Sequence, residues 1–314
     1  MLNKIIQKLL VAINDKPLPS ADNKELELIN ELRASFKAIN FPEDKTGNIS
    51  EMQWFQNMKR LKELVLTGDP REFLRWDVIK KTMFVASAHY IPVELNYLKE
   101  RVNWSAKWEP VIIENQVGHP PPYAFYTKSS GNLIHQAYHL AVYEEEIKQD
   151  IIDVDLVVEF GGGYGGMARL FSNLGFKGKY IIFDLEPFSL LQDYYLKSIN
   201  VPILTIANYR TAENGVLLLS DIKQLESVLE DADVSRSMFL ATWSISESPM
   251  HVRDSFVPLV SKFGSYLVAY QDSFGEVNNV DFFNEWKKGR SDINWVNFPI
   301  VQLSGSRYLM GKLA

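Results

Sequence analysis

The stretch Leu156-Val157-Val158-Glu159-Phe160-Gly161-Gly162-Gly163-Tyr164-Gly165-Gly166-Met167-Ala168-Arg169-Leu170 decides the fold. A short apolar run ends in a glycine cluster, and a helix-like pattern follows. That reads as a strand, a tight turn and a helix N-terminus. Glycine lets the backbone turn at positive φ and lets a ligand approach within contact distance. The helix start adds unpaired N–H groups and partial positive charge. A bare turn with no ligand is disfavoured, because five glycines in six positions cost chain entropy without adding packing.

Gly161, Gly163 and Gly166 satisfy the G-x-G-x-x-G dinucleotide fingerprint. Glu159 discriminates against that ligand. A carboxylate at the strand tip would repel a pyrophosphate and would suit a cationic ligand, such as one carrying an ammonium and a sulfonium. Glu159-x-Gly161-x-Gly163-x-Gly165 resembles the first motif of class I S-adenosylmethionine-dependent methyltransferases.

The chain has 314 residues, a net charge of -6 and no cysteine. The length suffices for one large domain or two ordinary ones. The charge gives no basic nucleic-acid footprint. Lack of cysteine excludes disulfides and thiolate zinc sites. No apolar run reaches the length of a membrane span. Leu2, Ile5, Ile6, Leu9 and Leu10 form the stripe of an amphipathic helix rather than a signal peptide. A cytoplasmic location is the expectation, and a homo-oligomer is left open.

Two regions are expected: a helical N-terminal and substrate-lid region over 1–130, and a cofactor-binding domain over 131–314. Ser20 or Asp22 caps a helix through Glu25–Ile39, Ser50 caps one opening at 49–54, and Pro70 starts another over Arg71–Ala88. Trp54, Phe55, Phe73, Trp76 and Phe84 read as core. Over 89–130 the prolines 92, 110 and 120–122 break regular structure, so the segment reads as a connector or lid. Its aromatics, Tyr126 among them, offer the flat apolar faces that a sugar surface would use. Gly131 then opens a helix to about Lys148 on which His135 and His139 share a face, with Tyr138 beside them. No spacing signature demands a metal.

From Leu156 onward strands and helices alternate: strands at 179–184, 201–206, 216–220, 238–243 and 265–270, helices at 188–199, 221–229, 252–263 and 281–288, and a closing hairpin of 295–303 and 307–313 turning at Ser304-Gly305-Ser306. This pattern predicts an α/β, doubly wound, mainly parallel sheet with a C-terminal antiparallel hairpin. In such sheets the ligand sits at the C-terminal strand ends. Asp184 ends the second strand about 20 residues past the glycines, where a carboxylate accepts ribose hydroxyl protons. Asp221 is placed for an adenine amino group or for a helix cap. Trp243, Ser244 and Glu247 follow the 238–243 strand at the expected position of the transferred group. His251 and Arg253 are expected at the same mouth, and Asp272 at the acceptor side.

Glu159–Gly166, Asp184-Leu185 with Tyr194-Tyr195-Leu196, and Thr242-Trp243-Ser244-Ile245-Ser246-Glu247 together resemble the sugar O-methyltransferase family of bacterial surface-polysaccharide clusters. The resemblance implies a Rossmann-like class I methyltransferase fold and S-adenosylmethionine as cofactor, with S-adenosylhomocysteine as product. It implies a cofactor set of Glu159, Gly161, Gly162, Gly163, Tyr164, Gly165, Asp184, Leu185, Asp221, Ile222, Thr242 and Trp243. It implies a small-molecule or glycan acceptor, contacted by Tyr126, His135, Tyr138, Ser244, Arg253 and Asp272. His139, Glu247 and His251 are the candidates for a general base. The chain departs from the family at Asp184-Leu185-Glu186-Pro187, where a shorter Asp-Leu-Pro is the pattern, and the role of Glu186 stays open. The alternatives are an NAD(P)-dependent sugar dehydrogenase or epimerase, and a non-enzymatic scaffold.

Overall fold

Period-two alternation builds the sheet. In the computed structural model, which describes residues 13, 15, 17–42, 47, 49–230 and 232–314, the run Leu156–Phe160 is a fully buried strand, β1. Val157 faces one core, with Tyr180, Leu240 and Met310. Val158 faces the other, with Ile181, Phe239 and Leu309. Successive side chains leave a strand on opposite faces, so a central strand buried on both sides reads as continuous apolar sequence. The N-terminal stripe from Leu2 to Leu10 lies outside the described residues.

The other strands are β2 (Lys179–Phe183), β3 (Ile203–Leu204), β4 (Gly215–Leu219), β5 (Ser237–Thr242), β6 (Ser265–Gln271), β7 (Ser273–Phe274), β8 (Val277–Asn278), β9 (Ile293–Pro299) and β10 (Ser306–Leu313). Eight of them form one sheet in the order β3-β4-β2-β1-β5-β6-β10-β9. β1 pairs in parallel with both β2 and β5. β10 runs antiparallel to β6 and to β9. The chain winds outward from β1 through β2 to the edge strand β3, returns to β4 between β2 and β3, then crosses to β5 on the other side of β1. The crevice at the carboxyl ends of β1 and β5 is therefore the topological switch point. This is the doubly wound, mainly parallel Rossmann-like fold with a C-terminal antiparallel hairpin that the alternation predicts. The short β7–β8 hairpin was not anticipated.

The helices labelled here are α1 (Asn23–Ala38), α2 (Ile49–Thr67), α3 (Asp77–Thr82), α4 (Ile91–Lys99), α5 (Gly131–Ile147), α6 (Gly166–Asn173), α7 (Glu186–Ser198), α8 (Ile206–Tyr209), α9 (Ile222–Leu229), α10 (Met250–Val260) and α11 (Asn279–Lys288). Asp22 caps α1 through a reciprocal capping box with Glu25. The helical layer covers one face of the sheet. Its Phe36, Leu61, Phe73 and Ile79 belong to the same hydrophobic cluster as Tyr164, Tyr194, Tyr195 and Met310, so one core crosses position 130.

Four expectations need correction. Ser50 lies inside α2 and does not cap it; its hydroxyl donates to the Glu247 carbonyl at 3.2 Å. The single helix expected over Arg71–Ala88 is a 3₁₀ helix, Pro70–Arg75, followed by α3. They part at Trp76, whose extended backbone (φ -64, ψ 146) turns a buried indole into the core. The segment 89–130 is not irregular throughout. Pro92 sits in the first turn of α4, where its missing N–H costs nothing, and a π-helical turn spans Trp104–Trp108. The strand expected over 201–206 shrinks to β3, because Thr205 caps α8 in a capping box with Asn208. No helix among the described residues is long and apolar enough to cross a membrane.

Candidate active site

A cavity of about 970 Å³ opens at the switch point. Its floor is the glycine turn and the tips of β1, β2, β4 and β5. Its roof comes from α2, through Ser50, Glu51, Trp54 and Met58, and its far wall from Met83, Val85, Tyr90 and the inner face of α5.

The floor is built by close approach. Gly161 has φ +71, and a Cβ there would stand 2.4 Å from the Ser244 Cβ. Its N–H donates to the Phe183 carbonyl at 2.8 Å, which ties the turn to β2. Gly162 has no room either: a Cβ would lie 2.5 Å from Ile182 and 3.1 Å from a Glu159 carboxylate oxygen. Glu159 thus points beneath the turn. It is 3% exposed, and Tyr180 donates to its Oε2 at 2.8 Å. Burial, with the charge of Asp184 adding to it, pushes its carboxyl up to about 8. Asp184, at the β2 tip, accepts from Gln192 Nε2 at 2.8 Å and from the Leu185 N–H at 2.7 Å. Part of its side chain faces the cavity, yet the surrounding protein desolvates it enough to raise it to about 7. Two neighbouring carboxyl groups therefore stand ready to ionise when a cation or hydrogen-bond donor arrives.

Of the expected cofactor set, Glu159, Gly161, Gly162, Gly163, Asp184, Leu185, Asp221, Ile222, Thr242 and Trp243 line the cavity. Tyr164 does not. It is buried behind the turn, where Asn132 donates to its hydroxyl at 3.1 Å and Phe73 and Tyr195 pack on its ring. Gly165, at φ +93, is the N-cap of α6. Asp221 accepts from the Lys223 N–H at 2.9 Å, so it caps α9 while facing the cavity.

Of the residues expected to contact an acceptor or serve as a base, His135, His139, Ser244, Glu247 and His251 all line the cavity. Glu247 sits on the 3₁₀ turn after β5; Gln271 Nε2 donates to it at 3.4 Å, and burial raises its carboxyl. His251 is at the outer mouth, 70% exposed, with Glu51 at 3.9 Å. Four other residues stand away from this wall. Tyr126 donates to Glu109 at 3.2 Å and packs on Trp104. Tyr138 packs edge-on against Tyr97 between α4 and α5. Arg253 is fully buried and braces the loop after β5, donating to the Ser246 and Ser248 carbonyls and to Asn279. Asp272 follows β6, where its N–H donates to the Gly305 carbonyl.

Three residues of the site were not foreseen. Trp54, read as core, reaches the cavity roof and meets the Phe188 ring edge-on at 5.8 Å. Tyr90 packs on the His135 ring at 5.0 Å. Glu94, with 0% exposure, lies 2.9 Å from His135 Nδ1. A signal for Glu94 exists in the sequence: Ile91, Glu94, Leu95 and Leu98 form one i, i+3, i+4, i+7 stripe, and an acid within such a stripe must find a buried partner. Trp243 has φ +63, a conformation that costs a bulky residue energy and clusters at functional sites. It stacks on His135 at 5.6 Å and an interplanar angle of 26°.

No protein-family model matches the chain, and no curated protein matches it in sequence. Solved structures do match in fold. PigF with SAH is similar at 10% identity and a TM-score of 0.38, over 94% of this chain and 100% of that one. Magnesium protoporphyrin IX methyltransferase (ChlM) from Synechocystis PCC 6803 with bound SAH is similar at 9% identity and a TM-score of 0.39, over 57% of this chain and 83% of that one. The methyltransferase domain of bacterial CtHen1 is similar at 10% identity and a TM-score of 0.38, over 57% and 97%. At these identities and scores the similarity is one of fold alone.

Proposed function

We propose that the chain is an S-adenosylmethionine-dependent O-methyltransferase whose acceptor is a sugar hydroxyl, acting in the building of bacterial surface polysaccharide or of its sugar precursors. The observation that carries the reading is the pair of carboxyls, Glu159 and Asp184, under and beside the glycine turn. A ligand with an ammonium, a sulfonium and a ribose matches them. A dinucleotide does not: Glu51, Glu159, Asp184, Asp221 and Glu247 line the cavity, and no lysine or arginine does among the described residues. A pyrophosphate would find no fixed cationic side chain to pair with there.

In this reading Asp184 holds the ribose hydroxyls, Asp221 and Ile222 the adenine edge, Leu185 and Phe188 its faces, and Trp54 closes the roof. Residues 1–130 form the lid and part of the acceptor wall, and 131–314 the cofactor half with the rest of that wall. When bound, the cofactor supplies an electrophilic methyl. The chain holds the acceptor oxygen in line with it, which converts a bimolecular encounter into a positioned one. The aromatic faces of Trp243 and Tyr90 suit the C–H faces of a sugar ring, with Gln136 in the same lining for its hydroxyls.

Calorimetry tests the cofactor, and transfer of labelled methyl from S-adenosylmethionine to a panel of methyl glycosides tests the acceptor. Binding of S-adenosylhomocysteine without binding of NAD is expected, with label on a glycoside. Binding of NAD alone, or of neither, removes the reading.

A further inference from the structure

Four polar side chains form a line through the acceptor wall. Glu94 lies 2.9 Å from His135 Nδ1, and His135 Nε2 lies 3.2 Å from His139 Nε2. His139 Nδ1 bonds the Tyr308 hydroxyl. Each partner fixes the next proton. A buried carboxylate accepts the His135 Nδ1–H, so the lone pair of His135 is on Nε2. Tyr308 keeps its proton, since burial pushes its phenol well above the ordinary range, and donates to His139 Nδ1. The proton of His139 therefore sits on Nε2, beside the lone pair of His135 Nε2. The two ring centres are only 4.3 Å apart, so the two Nε2 atoms lie side by side rather than head to head, and both rings border the cavity.

We infer that His135, oriented by Glu94, is the base that removes the acceptor's hydroxyl proton, and that His139 binds the same oxygen as a donor. The inference rests on the methyl-transfer reading and assigns its proton acceptor. An oxygen at ordinary hydrogen-bond distance from both Nε2 atoms, about 2.8 Å, completes a triangle on the 3.2 Å base. The contact between the histidines thus holds the place of a hydroxyl. In the reaction the O–H proton passes to His135 Nε2, the oxygen pair forms the bond to the methyl carbon, and the C–S pair returns to sulfur as a neutral thioether. The imidazolium left on His135 is compensated by Glu94. His139 cannot take this role, because it has no carboxylate, and burial and the neighbouring His135 hold it well below the usual histidine range. Two like groups whose surroundings drive them apart divide the labour of acid and base. The charged and titratable groups facing His135 are Glu94 and Tyr90 from the α4 side and His139 on its own helix, with Trp243 stacked on its ring. Gln302 donates to Glu94 at 3.2 Å.

Nitrogen-15 spectra of the full-length protein assign each tautomer without an acceptor. His135 is expected as the Nδ1–H form and His139 as the Nε2–H form. The opposite tautomers overturn the inference. His135→Gln should leave S-adenosylhomocysteine affinity within about threefold by calorimetry, which separates this inference from the cofactor reading, and should lower kcat about a hundredfold or more. Glu94→Gln should lower kcat and move the acidic limb of the pH profile to lower pH, because the imidazolium loses its counter-charge. A His135→Gln enzyme with wild-type kcat, or an unmoved limb in Glu94→Gln, overturns the assignment.

Discussion

Ser244 lies against Gly161 so closely that a Cβ on residue 161 would stand 2.4 Å from the Ser244 Cβ, and its hydroxyl donates to the Phe160 carbonyl. The contact bolts the tip of β5 to the tip of β1 across the crevice. The shape of the cavity floor and the position of Trp243 are thereby set together.

Gly161→Ala should lose both. The left-handed backbone alone costs an alanine roughly 1–2 kcal/mol, and the added methyl must also displace Ser244. Gly175→Ala is the control, with φ +87 and nothing within 4 Å. Both variants should melt below the wild type, Gly161→Ala by more. Only Gly161→Ala should lose S-adenosylhomocysteine affinity, by tenfold or more in calorimetry. Equal affinities for the two variants would show that the bolt does not shape the floor.

Cofactor affinity should rise with pH up to about 8. In the free protein the Glu159 carboxyl titrates near 8, and a cationic ligand favours its ionised form, so binding near pH 7 expels a proton. Folding runs the other way. The folded chain holds a proton on Glu159 that the unfolded chain has released above about 4.3. Stability of the free protein therefore falls as pH climbs from about 5 to 8, by at most about 1.4 kcal/mol per pH unit for this group. Asp184, raised to about 7, acts in the same direction over a lower window. Calorimetry in buffers of different ionisation heat counts the released proton. Glu159→Gln should abolish Glu159's share of the release and flatten the stability curve above pH 7.

Arg253 should prove a brace. Its guanidinium donates to the Ser248 carbonyl at 2.9 Å, the Ser246 carbonyl at 2.6 Å and Asn279 at 2.7 Å. Burial lowers it to about 10, which leaves it charged at neutral pH. Arg253→Leu orphans the Ser248 carbonyl and Asn279 Oδ1 at about 1–3 kcal/mol each, so urea melts should show a loss of about 2–6 kcal/mol. The loop it braces carries Glu247, so kcat should drop while S-adenosylhomocysteine affinity holds. Arg253→Lys should recover little, because one ammonium cannot replace a planar fork. Full stability in Arg253→Leu would remove the brace.

The sheet was legible because its strands are central: Leu156–Phe160 and Lys179–Phe183 are apolar runs bounded by glycine or an acid, and both appear where the pattern puts them. The helical layer was less so. Pro92 reads as a breaker and is a first-turn proline; Trp76 reads as helix and is the point where the helix stops. Both depend on which side chain the core accepts, which is a tertiary matter. The same limit applies to the site. The His135 and His139 pairing follows from four-residue spacing, whereas Glu94 reaches His135 across 41 residues of chain and Tyr308 reaches His139 across 169. Local periodicity carries no information about such partners. Arg253 misleads for the opposite reason: a surface-type residue near the mouth in sequence is drawn inward by three acceptors.

Phe73, from the helical layer, stands among Tyr164 of the glycine turn and Tyr194 and Tyr195 of α7, at ring separations of 5.9, 6.3 and 5.7 Å. Grafting a foreign leader onto this scaffold to change what it modifies would set an unmatched surface against those tyrosines. Redesign is better aimed at Met83 and Val85, which line the cavity yet sit outside that aromatic interlock, so its shape can be retuned one side chain at a time without reopening the interior.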